Sequence, residues 1–165
     1  HPRGPPVEET DIRKGLALAL DRKACNDILN EGKGGIAGAM LPPPDGVWGM
    51  PPDVQATLTG YGPDIEKNRD EARAIMTRLG YGPEKPLETR IFTRDINNFR
   101  DPALILNDQL KKVYINAELD IADTPQYYAR VYKEQSAIGL NLTGSEFDVP
   151  DQNFYENYAC ASLGN

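Results

Sequence analysis

The sequence predicts an α/β chain, a three-layer-like lobe with a mainly parallel β-α-β-α-β sheet. Three observations carry this. Residues 87–93, 117–122 and 137–142 are short apolar or alternating runs of strand length. The segments between them are helical in period: Ala103, Leu106, Leu110 and Val113 fall on one face, and Thr124-Pro125, read as a cap followed by proline, opens a second helix running to about residue 134. No tight hairpin turn joins the runs, and helical connections of this length suit right-handed crossovers between parallel strands.

The amino-terminal half reads as helices and turns. Pro2, Pro5 and Pro6 make residues 1–9 extended. Thr10 or Asp11 is the expected cap of a helix whose inner face is Ile12, Leu16, Ala19 and Leu20. Asp21 caps a second helix over 22–29, with Cys25, Ile28 and Leu29 expected inward and Gly32, Gly34 and Gly35 ending it. Residues 32–53 are too rich in Gly and Pro for regular structure, yet Ile36, Met40, Leu41, Val47, Trp48 and Met50 favour an ordered, packed loop. Residues 53–58 read as a short helix and 60–63 as a turn. Asp64 caps a helix to about residue 79, with Ala72, Ile75, Met76 and Leu79 buried and Gly80 at the left-handed stop.

In the carboxyl-terminal half, Asp101-Pro102 reads as a cap followed by proline in the first helical turn. Tyr128 and Tyr132 lie one turn apart on the next helix. Pro150 and Asp151 open a last helix through Tyr158, whose Tyr155 and Tyr158 read as a packed face.

Bulk properties narrow the function. At 165 residues the chain is long enough for one core. A net charge of −7 argues against a nucleic-acid partner. No apolar run reaches bilayer-spanning length. The opening HPRGPPVEET is neither a start methionine nor an export signal, so the chain reads as a mature or excised piece. Cys25 and Cys160 read as two independent thiols, and their spacing matches no zinc site. No cofactor is expected: the glycines at 32–35 lack the spacing of a phosphate-cradling loop. Residues 145–151 have too few spaced acids for a calcium loop, and the Asn141 glycosylation triplet sits incidentally at a strand end.

In open α/β sheets, ligands are met beyond the carboxyl ends of the strands. Those ends are 94–97, 123–124 and 143–148, two of them strongly polar. Candidate binding residues are Trp48, Arg94, Asn97, Arg100, Thr143, Ser145, Glu146 and Asp148. Trp48 is either an anchor in its own core or an aromatic wall for a ligand. Arg94 and Arg100 are either solvated or placed to grip a carboxylate through two bonds. Asp148 and Asp151 either hold a cationic amine or cap the next helix. Catalysis lacks a base: the sole histidine is His1. The acids Glu146, Asp148 and Asp151 leave a carboxylate-dependent hydrolase as the catalytic alternative.

Several stretches, in order, resemble one family. DIRKGLALALDRKACNDIL matches a pattern of Arg13, Leu16, Ala19, Leu20, Asp21 and Arg22, departing where the family has Gln or Arg then Ala and this chain has Lys14 and Gly15. The stretches at 41–52 (proline/tryptophan loop), 64–82 (E-A-R then Leu-Gly-Tyr), 106–123 and 143–155 follow. Together they resemble the extracytoplasmic solute-binding proteins of ABC importers, in the peptide/nickel/oligopeptide branch.

The resemblance implies a periplasmic-binding-protein type II-like fold and a non-enzymatic role: capture of a peptide or similar solute between two lobes and delivery to a membrane permease. It implies a monomer outside the cytoplasm in a bacterial periplasm. Residues 1–165 would be most of the second lobe, with the other lobe, the hinge and the last helices absent. It implies that an arginine after the first strand holds a peptide carboxylate, with Arg94 and Arg100 both in range. The acid that holds the peptide amine is replaced here by Ser145, with Glu146 or Asp148 as substitutes. A sensory or interaction module built on the same lobe is the alternative.

Overall fold

The computed structural model describes residues 9–38, 47–131, 138–140 and 149–162. Helices α1 (Thr10–Ala19), α2 (Arg22–Asn30), α3 (Pro52–Gln55) and α4 (Ile65–Arg78) precede strand β1 (Leu87–Arg94). Helix α5 (Asn97–Lys111), strand β2 (Ile115–Ala122), helix α6 (Thr124–Val131), strand β3 (Ile138–Gly139) and helix α7 (Asp151–Tyr158) follow. The sheet order is β2-β1-β3, and both pairings are parallel, as expected. β1 pairs with β2 along its full length, from Leu87 opposite Ile115 to Arg94 opposite Ala122. β3 pairs through Ile138 and Gly139, opposite Ile91 and Phe92.

Side chains alternate across a strand, and the two sheet faces differ. On one face Leu87 and Ile91 of β1 and Ile115 and Ala117 of β2 join Ala103 and Leu110 of α5, Ile12 and Leu18 of α1, and Ala72, Ile75 and Met76 of α4 in the main core. On the other face Phe92 and Ala122 form a second, smaller cluster with Tyr127 of α6. The amino half of that second face is polar: Asn116 donates to Glu88 at 2.8 Å, and Arg90 lies 3.4 Å from Glu118.

Helix α4 forms as the sequence indicates. The Asp64 side chain accepts from the Lys67 amide at 3.0 Å, and Gly80, at φ 89°, ends it. Its buried stripe packs on α1, and Asp11–Arg78 and Lys14–Glu71 ion pairs, each 2.6 Å, border the contact. At the α1–α2 corner Asp21 caps α2 through the Ala24 amide at 2.9 Å. Buried Gln109 holds both backbone groups of Asp21: its carbonyl accepts from the Asp21 amide at 2.9 Å, and its amide donates to the Asp21 carbonyl at 3.2 Å. Arg22 donates to the Gly60 carbonyl at 2.7 Å and lies 3.9 Å from the centre of the Tyr61 ring. Gly60, at φ 81°, is required there, since a Cβ would stand 2.0 Å from the Ala17 carbonyl oxygen.

Several expectations are corrected. Neither Thr10 nor Asp11 caps α1; both lie inside it, after Glu9. Ile28 and Leu29 are exposed, and α2 buries no residue: among the described residues it meets α5 at its Asp21–Cys25 end, through Gln109. The short helix expected at 53–58 is Pro52–Gln55. Helix α5 begins at Asn97, not after Asp101, so Pro102 lies inside it. Burial of Phe99 against Tyr127, with the Thr93 hydroxyl donating to the Phe99 carbonyl at 3.1 Å, fixes this earlier turn. Asp123, not Thr124, caps α6, accepting from the Gln126 amide at 2.9 Å. Tyr155 and Tyr158 on α7, expected as a packed face, are 59% and 58% exposed, the Tyr158 ring lying 6.3 Å from that of Phe154. Tyr132, and the parts of the third strand expected at 137 and 141–142, lie outside the described residues.

Candidate functional site

The site is built at the carboxyl end of β1. Register places Arg94 beside Ala122, and the Asp95 amide extends the ladder to the Ala122 carbonyl at 2.9 Å. The chain then turns into α5 after β1 and into α6 after β2, so the amino ends of both helices stand at this edge. The α6 end is capped by the Asp123 carboxylate, whereas the first turn of α5 has no side-chain cap and favours negative charge. The Ile96 side chain cannot cap α5, whose first turn has no side-chain cap.

Arg94 is half-buried among residues from these two helices. Its Nη2 donates to the Thr124 hydroxyl at 2.9 Å, and Nη1 reaches the Tyr128 hydroxyl at 3.5 Å. Its guanidinium carbon lies 4.5 Å from the centre of the Phe99 ring and 5.4 Å from that of Tyr128. No carboxylate among the described residues lies within ion-pair distance of it, and its buried Nε–H has no acceptor. An orphaned N–H of this kind costs on the order of 1–3 kcal/mol.

Behind Arg94 stands Tyr127, 2% exposed. Its ring stacks on Phe92 at 5.0 Å and meets Phe99 and Tyr128 edge-on at 6.5 and 5.5 Å. Its hydroxyl donates to the Leu140 carbonyl at 3.0 Å, while the Leu140 amide donates to the Phe92 carbonyl at 3.0 Å. Burial raises the Tyr127 phenol above its ordinary value, so it remains a donor at neutral pH.

The candidate residues fall into three groups. Arg94 is at the site. Asn97 and Arg100 are engaged with each other: Arg100 donates to the Asn97 side-chain oxygen at 2.7 Å, and to Asp95 at 3.2 Å, with Asp101 at 3.7 Å. The Arg100 charge is thus balanced locally. Trp48 is 46% exposed, in a turn. Thr143, Ser145, Glu146 and Asp148 lie outside the described residues. Sequence reading missed Phe99 and Tyr127, and it placed Thr124 at a strand end without naming it as a binding residue. The signal for Thr124 was available: a parallel register aligning the ends of the two strands puts the residues after Ala122 beside Arg94.

A cavity of about 330 Å³ lies elsewhere, at the α1–α2 corner, with Leu20, Arg22, Ile36, Gln55 and Tyr61 in its lining. Among the described residues no group of three metal-ligating side chains stands together, and no helix is long and apolar enough to cross a membrane. Both cysteines are free.

The model of the bacterial extracellular solute-binding proteins, family 5 Middle, matches residues 1–165. The chain belongs to that family.

Other comparisons agree on the fold. This family 5 chain is 23% identical over 163 residues to the dipeptide-binding protein of Escherichia coli (strain K12), covering 95% of the chain and 28% of the relative. It superposes on Haemophilus influenzae OppA, solved in complex with the peptide RPPGFSPFR, with a TM-score of 0.76 at 17% identity, covering 98% of this chain and 31% of that one. It also superposes on Staphylococcus aureus NikA in complex with Ni(L-His)2, with a TM-score of 0.69 at 16% identity, covering 94% and 31%. The chain therefore spans less than a third of the length of these relatives. In this family 5 chain the Asp21-Arg22 pair, part of the motif that carried the resemblance, is scaffold: both residues hold the corner between α1, α2 and residue 60.

Proposed function

We propose that this chain is a lobe of the substrate-binding component of an ABC importer, and that Arg94 grips an anionic group of the solute, the carboxylate of a peptide or a similar small organic molecule. The supporting observation is the state of Arg94: anchored by a hydroxyl, flanked by aromatic rings, with no carboxylate partner among the described residues and with one N–H lacking an acceptor. Arg100, the other arginine in range, already faces Asp95 and Asp101. The amino end of α5, which has no side-chain cap, adds positive potential at the same edge.

In this reading the residues at 143–148 (Thr143, Ser145, Glu146 and Asp148) supply further polar contacts, and Trp48 an aromatic one. A second lobe encloses the solute, closure being favoured because the closed state makes more contacts with it. The closed, monomeric, extracytoplasmic protein then docks on a permease in the membrane. No bond is made or broken.

The experiment is isothermal calorimetry on the intact protein, with peptides found by a thermal-shift screen and then compared as free acids and carboxyl-terminal amides. Arg94→Gln is expected to weaken the free acid by about tenfold or more and to leave the amide within about twofold, since a charge-assisted bond contributes roughly 1.5–3 kcal/mol. Equal affinity of wild type and Arg94→Gln for the free acid would refute the assignment.

A further inference from the structure

Three arginines near the strand ends differ in what anchors them. Arg130 makes two bonds to the Asp120 carboxylate, one of them 3.0 Å long, and lies 4.1 Å from the centre of the Phe92 ring. Arg100 faces the Asp95 and Asp101 carboxylates. Arg94 is anchored by the Thr124 hydroxyl at 2.9 Å. A carboxylate anchor fixes a guanidinium and also cancels its charge. A hydroxyl anchor fixes it and leaves the charge intact for another anion. The chain can place a hydroxyl there because Asp123, one residue earlier, supplies the cap of α6. The Thr124 side chain is therefore not needed to start the helix.

Resting on the reading of Arg94 as the anion grip, we propose that Thr124 is a positioning residue that aims the Arg94 guanidinium and preserves its charge for the carboxylate of the solute. The anchor holds Nη2, and the Phe99 and Tyr128 rings stand against the guanidinium. The arginine then meets its ligand already ordered, which reduces the entropy lost on binding. Replacing the hydroxyl with a carboxylate converts Arg94 into a second Arg130, well held and neutralised.

The test uses the intact protein and sodium acetate as the probe, following the acetate methyl signal by ligand-observed NMR, with melting temperatures measured in parallel. Thr124→Ser is expected to bind acetate within about twofold of wild type, Thr124→Val about fivefold more weakly, and Thr124→Asp about tenfold or more weakly. Thr124→Asp is expected to melt no lower than wild type. Affinity and stability therefore move independently, as a merely structural role for Thr124 does not allow. If Thr124→Val and Thr124→Asp bind acetate as wild type does, while Arg94→Gln does not, the positioning role is overturned and the grip stands. If Arg94→Gln also binds acetate as wild type does, the grip itself fails, and the role of Thr124 with it.

Discussion

Two single residues in this chain have consequences opposite in sign. Gln109, 5% exposed, is the sole described side chain bonding both the amide and the carbonyl of Asp21, and it also reaches the Cys25 sulfur at 3.4 Å. Gln109→Leu keeps the volume but leaves two backbone groups at the α1–α2 corner without those partners. It is expected to cost about 2 kcal/mol, a fall of roughly 6 °C in melting temperature by calorimetry. Gly15 is buried inside α1, and a Cβ added there would meet the Met76 sulfur at 3.5 Å, an ordinary contact distance. Gly15→Ala is therefore expected to stabilise by about 1 kcal/mol, because alanine loses less backbone entropy in a helix and gains contact with Met76. A lower urea midpoint for Gly15→Ala would contradict that geometry.

At the scale of elements, helix α6 is tied to the sheet by a charge pair as well as by Tyr127. The bond from Arg130 holds the Asp120 carboxyl below the usual carboxylate range, against a smaller opposing effect of desolvation. A carboxyl whose folded-state pKa lies below its unfolded value of about 3.9 adds stability above that pH, and the stability is lost as pH falls through the folded value. Acid titration followed by circular dichroism is expected to show this loss below about pH 4, and Asp120→Asn is expected to flatten it. Because both partners retain solvent access, the cost of Asp120→Asn at pH 7 is expected to be about 1 kcal/mol. A wild-type acid profile reproduced by Asp120→Asn would separate Asp120 from the effect.

Helix α5 shows why boundaries were less legible than elements. Its inner positions Ala103 and Leu110 were readable from period alone, and both are fully buried. Its start was misplaced because Asp101-Pro102 is a strong local signal, while the burial of Phe99 against Tyr127, some 28 positions later in the chain, is not local at all. In α2, by contrast, the cap at Asp21 was legible and the inward face was not, since among the described residues that helix meets α5 at its Asp21–Cys25 end, through Gln109.

At the scale of the molecule, Arg94 stands at an edge of a chain that spans under a third of its relatives' length. Solute sites bury most of their ligand's surface, and an edge of this kind offers one side of such an enclosure. The isolated chain is accordingly expected to bind a free-acid peptide about 100-fold more weakly than the intact protein. Calorimetry on both preparations decides the matter: equal affinities would mean that this chain alone encloses the solute.

The sequence by itself determined the succession of helices and strands, the parallel sheet, the caps at Asp21 and Asp64, the helical stripes of the core, and the family. These follow from periodicity, capping chemistry and motif order, all of which act over a few residues. The tertiary structure decided which arginine is left with its charge unanswered among the described residues. Arg94 and Arg100 look alike in the chain, but one is drawn by strand register against Thr124 and two aromatic rings, and the other turns back onto Asp95 and Asp101. That difference arises where two parallel strands end side by side, a juxtaposition of positions some 30 residues apart that no local pattern encodes.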